Sequence, residues 1–237
     1  MAGPYYSMMA DVRGKLCVVV GGGAVAERKI GSLLEAEARV SVISPSGTPQ
    51  LEMWAAEGRI EFIREPYAAQ HRRLVEQAML VLAATDQAAV NRRVAEDAVS
   101  LGRWVNVADQ PEKSSFIVPS SLRRGKLTIA VSTSGASPGV SARIRQRLEQ
   151  EYGEEYAAYI DLLEELRELV QDKLADTKTR QKLSRAMLDW ELLPVIRAGK
   201  LEEIRGRLVE LVGEQPDLDR FEYIAQWLKE VSACANS

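Results

Sequence analysis

Five consecutive apolar residues, Leu16-Cys17-Val18-Val19-Val20, run straight into Gly21-Gly22-Gly23. A segment with apolar side chains at Val25, Ile30, Leu33 and Leu34 follows. The unbroken apolar run reads as a strand buried on both faces, and the spacing after it reads as a helix over Ala24–Ala36. The turn between them matches G-x-G-x-x-A through Gly21, Gly23 and Ala26. The first glycine permits a tight turn, the second lets backbone approach a pyrophosphate, and the final small residue lets helix and strand pack closely. Phosphates then meet free N–H groups at the positive end of the helix dipole. The chain is thereby constrained to open with a βαβ unit that holds a dinucleotide such as NAD. Gly21, Gly22, Gly23, Ala24 and Val25 are its candidate phosphate-binding residues.

The same rhythm continues for about 90 residues. Arg39–Ile43, Ile60–Ile63, Met79–Ala84 and Trp104–Ala108 read as strands. Helices are predicted at Leu51–Glu57 and from a cap at Asp86 to about Leu101. Alternating strands and helices imply a parallel sheet covered by helices. Near residue 113 the pattern changes. Ser115–Pro119 and Leu127–Ser132 read as strands joined by a hairpin turn at Arg123–Lys126. Ser137–Pro138 then opens a helix to about Glu151, with serine as cap and proline in the first turn. Beyond Gly153 the chain reads as helical. Tyr159, Leu162, Leu163, Leu166, Leu169 and Val170 form a stripe suited to a core or a dimer contact, and further helices fit Lys182–Trp190, Leu201–Val212 and Leu218–Val231. The expected class is α/β: a Rossmann-like parallel sheet over 1–112, a small α+β dimerisation and substrate-binding unit over 113–152, and a helical region over 153–237.

Composition removes several function classes. A net charge of −3 gives no global attraction to nucleic acid or to an anionic membrane. No apolar run approaches the roughly 20 residues that a membrane helix needs. Cys17 reads as buried and Cys234 as a free surface thiol, which fits a reducing cytoplasm. The single histidine, His71, sits among polar neighbours and reads as solvated. One histidine and two scattered cysteines do not make a resident metal site.

The remaining candidates follow strand ends, where α/β sheets place their ligands. After the second strand an acid usually grips the ribose of NAD. Here the chain reads Ser44-Pro45-Ser46, so the two serine hydroxyls are the candidate ribose contacts, and residue types alone leave NAD and NADP open. Thr85 and Asp86 follow the fourth strand and are candidates to line the nicotinamide ribose. Asp109 follows the fifth. Ser132, Thr133, Ser134 and Ser137 make a polar loop before a helix N-terminus, which suits carboxylates. Arg143, farther along that helix, suits another carboxylate by a bidentate contact.

Several strings occur in order: Gly21–Lys29 (GGGAVAERK), Ala83-Ala84-Thr85-Asp86, Asn106–Pro111 (NVADQP), Ser115–Ser120 (SFIVPS) and Ala130–Pro138 (AVSTSGASP). Together they make residues 12–150 closely resemble the precorrin-2 dehydrogenase family, which is also the dehydrogenase–ferrochelatase part of sirohaem synthases. The resemblance implies NAD⁺-dependent oxidation of precorrin-2 to sirohydrochlorin. In some members it also implies insertion of Fe²⁺ or Co²⁺ as a further substrate. It implies a homodimer joined through the unit after the Rossmann domain. It assigns Asp109 the catalytic position, where a carboxylate accepts a proton while the nicotinamide takes the hydride. It makes precorrin-2, rich in carboxylates, the ligand of the serine loop and Arg143. A different class of function fits the first domain alone: a nucleotide-sensing regulatory subunit. Such a subunit usually keeps the acid after strand two and has no need of Asp109 or the serine loop.

Overall fold

The computed structural model describes residues 5–108, 110–214 and 216–235, the side chains of 234 and 235 excepted. Asp109 and the side chain of Cys234 therefore lie outside the described residues. The chain divides into two compact units, Met1–Val118 with Thr133–Ser137, and Pro119–Ser132 with Pro138–Ser237.

In the first unit β1 (Leu16–Val20), β2 (Arg39–Ile43), β3 (Ile60–Ile63), β4 (Leu80–Ala83) and β5 (Trp104–Val107) form one parallel sheet, ordered β3-β2-β1-β4-β5. Parallel neighbours need crossover connections. These are α1 (Ala24–Glu35), α2 (Pro49–Ala56), α3 (Arg72–Gln77) and α4 (Ala88–Ser100). The unbroken apolar run of β1 is explained by two cores. Cys17 and Val19 pack with Ala26, Ile30 and Leu51 on one face. Leu16, Val18 and Val20 pack with Val75, Val94 and Ala98 on the other. Val25, expected on the apolar stripe of α1, is instead exposed at the rim of the glycine turn.

Three expectations are corrected here. Residues 115–119 are not a strand; the hairpin starts at Ser120. The preceding segment instead covers the open edge of β5. Ser115 N–H donates to the Val105 carbonyl at 2.7 Å, its hydroxyl accepts from Val105 N–H at 3.0 Å, and the Ser114 hydroxyl accepts from Val107 N–H at 2.9 Å. Asp86 does not cap α4. The cap position is Gln87, with no side-chain bond, and Asp86 is exposed. The hydroxyl of Thr85 takes the Gln87 N–H at 3.1 Å and closes that turn. His71 is buried rather than solvated. Its Nδ1 accepts from the Ala68 N–H at 3.0 Å, Nε2 lies 3.3 Å from a Glu65 carboxylate oxygen, and the ring stacks on Tyr67.

The second unit holds an antiparallel hairpin of β6 (Ser120–Arg124) and β7 (Leu127–Val131), whose turn uses Gly125 at φ +55°. Helices follow: α5 (Pro138–Glu151), α6 (Glu155–Lys173), α7 (Thr177–Ala186), α8 (Leu192–Arg197), α9 (Leu201–Glu214) and α10 (Leu218–Ala235). The stripe on α6 is core: Leu162, Leu166 and Val170 are buried against Leu183, Trp190, Leu208 and Phe221. The helix expected at 182–190 starts earlier, at Thr177. The Asp176 carboxylate caps it by accepting from the Thr179 N–H at 2.8 Å, and a 3₁₀ turn over Met187–Asp189 follows. Among the described residues no helix is long and apolar enough to cross a membrane.

Candidate active site

Strand register sets the site. Val20 lies beside Ile43 and Ala83, and Ala83 beside Val107. Four strands therefore end in one row, and the loops after them share one sheet edge. The strand order reverses between β1 and β4, which is where open α/β sheets bind ligands.

The glycine turn is shaped by its neighbours. Gly21 has φ +121°, and a Cβ there would stand 2.3 Å from the Ala84 carbonyl oxygen. A Cβ on Gly22 would stand 2.0 Å from the Ser46 carbonyl oxygen. Both glycines are thus required by the protein itself. Gly23 differs: its φ is −87°, and a Cβ would meet nothing within 4 Å. No protein contact explains a glycine there. It is exposed, it begins α1, and no side chain caps that helix. Helix N-termini leave N–H donors without intrahelical partners. An open space beside uncapped donors is a cradle that fits the pyrophosphate of a dinucleotide. Ala26, the small residue that ends the motif, is fully buried against the sheet.

The candidate cofactor residues are gathered along this edge. Ser44 is buried, and its hydroxyl donates to the Ser46 carbonyl at 2.8 Å, while Pro45 and Ser46 are exposed. Thr48 N–H donates to the Gly22 carbonyl at 3.1 Å and so ties the loop after β2 to the turn. The loop after β4 is ordered by Thr85, whose hydroxyl donates to Asn91 Oδ1 at 2.7 Å.

Sequence reasoning gave no role to four residues that build this edge. Asn91, buried on α4, holds Thr85; its one signal is a polar residue on the inward face of an apolar helix. Asn106, buried inside β5, donates to the Phe116 carbonyl at 3.0 Å and accepts from Lys29 Nζ at 2.8 Å. Its signal is an amide inside WVNV. Gly47 is forced by the Phe62 ring, 2.7 Å from where a Cβ would sit. Thr48 caps α2 ahead of Pro49, a start signal two residues before the expected one.

The serine loop lies partly in this unit. Ser137 N–H donates to Thr133 Oγ1 at 3.0 Å, and Ala136 N–H to the Thr133 carbonyl at 2.9 Å. Ser134 and Gly135 take positive φ, 53° and 85°, to close the turn. A Cβ on Gly135 would lie 3.7 Å from Pro111, which follows β5, so this turn borders the same sheet edge. Ser132 and Arg143 belong to the second unit, where Arg143 is exposed on α5.

Comparison with known proteins shows what the chain resembles. An NAD(P)-binding family model matches residues 8–120, and the model of the sirohaem biosynthesis protein central region matches 124–151. The sirohaem synthase of Nitrosococcus oceani is 34% identical over 204 residues, which is 86% of this chain and 43% of that protein. The sirohaem synthase of Neisseria meningitidis serogroup C is 32% identical over 226 residues, 95% of this chain and 43% of that one. The chain spans less than half the length of these relatives. Among solved structures, SirC, a precorrin-2 dehydrogenase, superposes with a TM-score of 0.67 at 25% identity, covering 95% of this chain and 100% of that one.

Proposed function

We propose, on the premise that this chain belongs to the precorrin-2 dehydrogenase family found at the N-terminal part of sirohaem synthases, that it oxidises precorrin-2 to sirohydrochlorin with NAD⁺. The observation that carries the reading is the end-to-end likeness to SirC, which includes the helical region that no glycine motif explains. A nucleotide-sensing regulator would leave the match over residues 124–151 without a reason, and that reading is dropped.

Gly21–Gly23 and the first turn of α1 would hold the pyrophosphate, and Ser44 and Ser46 would contact the adenosine ribose. Thr85 and Asp86, on the loop after β4, would line the nicotinamide ribose. When bound, NAD⁺ supplies the hydride acceptor. Asp109 accepts the proton that leaves with the hydride. The turn of Thr133, Ser134 and Ser137 receives substrate carboxylates, and Ser132 and Arg143 receive others. Fe²⁺ or Co²⁺ is a second-stage substrate held by the tetrapyrrole's own nitrogens, with Asp109 taking pyrrole N–H protons. The active form is a homodimer in the cytoplasm. Apolar Val140 and Ile144, 48% and 40% exposed one turn apart on α5, support a subunit contact.

The test is an anaerobic incubation of purified protein with precorrin-2 and NAD⁺, followed by absorbance. Sirohydrochlorin bands growing together with the NADH band support the reading. No change with NAD⁺ or NADP⁺, beside a working control enzyme, overturns it. Adding Fe²⁺ or Co²⁺ to the same cuvette tests chelation.

A further inference from the structure

Along α6–α10 the arginines fall into two groups. Arg197, Arg205, Arg207 and Arg220 pair with Glu155, Glu165, Glu210 and Glu214 at 2.8, 3.0, 2.7 and 3.2 Å. Arg167, Arg180 and Arg185 are, among the described residues, in no such pair, and all three line one cavity of about 540 Å³. That volume lies within the usual range of small-molecule sites.

The cavity is built from two helix faces. Arg167 and Gln171 stand one turn apart on α6, and Thr177, Arg180, Ser184 and Arg185 occupy successive turns of α7. Among the described residues no carboxylate lines it. The acid just before α7, Asp176, accepts from the Thr179 N–H at 2.8 Å and the Thr179 hydroxyl at 2.6 Å, and the Arg180 charge helps to hold its carboxyl below the usual range. Arg180 donates through Nη2 to Thr177 Oγ1 at 3.0 Å, but its Nε is shut off from solvent and has no hydrogen-bond partner. Three gathered guanidiniums repel one another and raise the local positive potential. The arginines of α8, α9 and α10 pair with glutamates, so this cluster is not a general feature of the surface.

We propose that the groove between α6 and α7 binds a small multivalent oxyanion, one that carries clustered carboxylates or phosphates, through Arg167, Arg180 and Arg185. The guanidinium fork matches either group by paired N–H···O bonds. The hydroxyls of Thr177 and Ser184 and the amide of Gln171 add uncharged donors. The site belongs to the helical unit and does not rest on the dehydrogenase reading.

The experiment is calorimetric titration of the full chain with citrate and, separately, with inorganic pyrophosphate. Arg167 and Arg185 are exposed, so the double variant Arg167→Gln/Arg185→Gln keeps the core, and an unchanged melting temperature checks this. At least one probe binds the natural protein, and the double variant binds it at least about tenfold more weakly. Gly23→Asp, which blocks the anion cradle of the first unit, leaves this binding in place. Citrate alone binding identifies a polycarboxylate, pyrophosphate alone a phosphorylated ligand, and both a site for clustered oxyanions in general. No heat with either probe overturns the proposal. So does equal affinity in the double variant, or loss of binding in Gly23→Asp.

Discussion

Asn91 and Thr85 grip each other by three hydrogen bonds. The Asn91 Oδ1 accepts from the Thr85 N–H at 3.1 Å and from its hydroxyl at 2.7 Å, and Nδ2 donates to the Thr85 carbonyl at 2.9 Å. The clamp fixes the loop where β4 meets the nucleotide edge. Asn91→Leu strands buried donors and acceptors, and unfolding in urea is expected to show a loss of about 1–3 kcal/mol. NAD⁺ affinity falls with it. Asn91→Asp keeps both acceptor contacts and is expected to lose less.

Gly21 and Gly23 separate stability from binding. Gly21→Ala drives a methyl group into the Ala84 carbonyl at a positive φ, and it is expected to cost at least about 2 kcal/mol by denaturant unfolding. Gly23→Ala places its methyl group in open space at an ordinary φ, so the unfolding midpoint stays where it is. NAD⁺ titration is where that variant is expected to fail, because the methyl group would fill the space proposed for the pyrophosphate. Equal NAD⁺ affinity in Gly23→Ala and the natural protein would place the cofactor elsewhere.

Asp109→Asn removes the proposed proton acceptor and leaves the glycine turn untouched. Turnover of precorrin-2 is expected to fall at least ~10²-fold while NAD⁺ binding holds. A kcat equal to that of the natural protein would take Asp109 out of the mechanism.

Cys17 is fully buried between β1 and α1, and burial pushes its thiol from an ordinary 9.0 up to about 11. The neutral form is the one the fold favours. Its contribution is therefore whole below pH 9 and is lost as pH rises toward 11, a loss of about 2–3 kcal/mol. In a Cys234→Ser background, labelling of Cys17 by a thiol reagent at pH 8 is expected only at the rate of unfolding. Rapid labelling of folded protein would contradict its burial.

The strand–turn–helix opening was legible because each residue in it answers to a local rule: five apolar residues for a doubly covered strand, glycine at φ +121°, a small residue at the crossing. What escaped were long-range demands. Asn91 and Asn106 look like unfavourable residues in a helix and a strand until Thr85, Phe116 and Lys29 are in place around them. Ser115–Pro119 has strand composition, yet the free edge of β5 takes up Ser115, and Ser114 before it, through side-chain hydroxyls. His71 has polar neighbours in sequence and is buried by Tyr67 and the turn at Ala68. Asp86 carries the residue type of a cap, but a hydroxyl one residue earlier reaches the N–H first.

Thr133–Ser137 returns to the first unit after the hairpin has been laid down in the second. Neither unit is one uninterrupted stretch of chain. A recombination event with a single breakpoint cannot exchange one unit and leave the other intact, and a fragment ending at Val118 lacks the turn that borders Pro111. A chimera that keeps both units whole therefore has to carry them together from one parent.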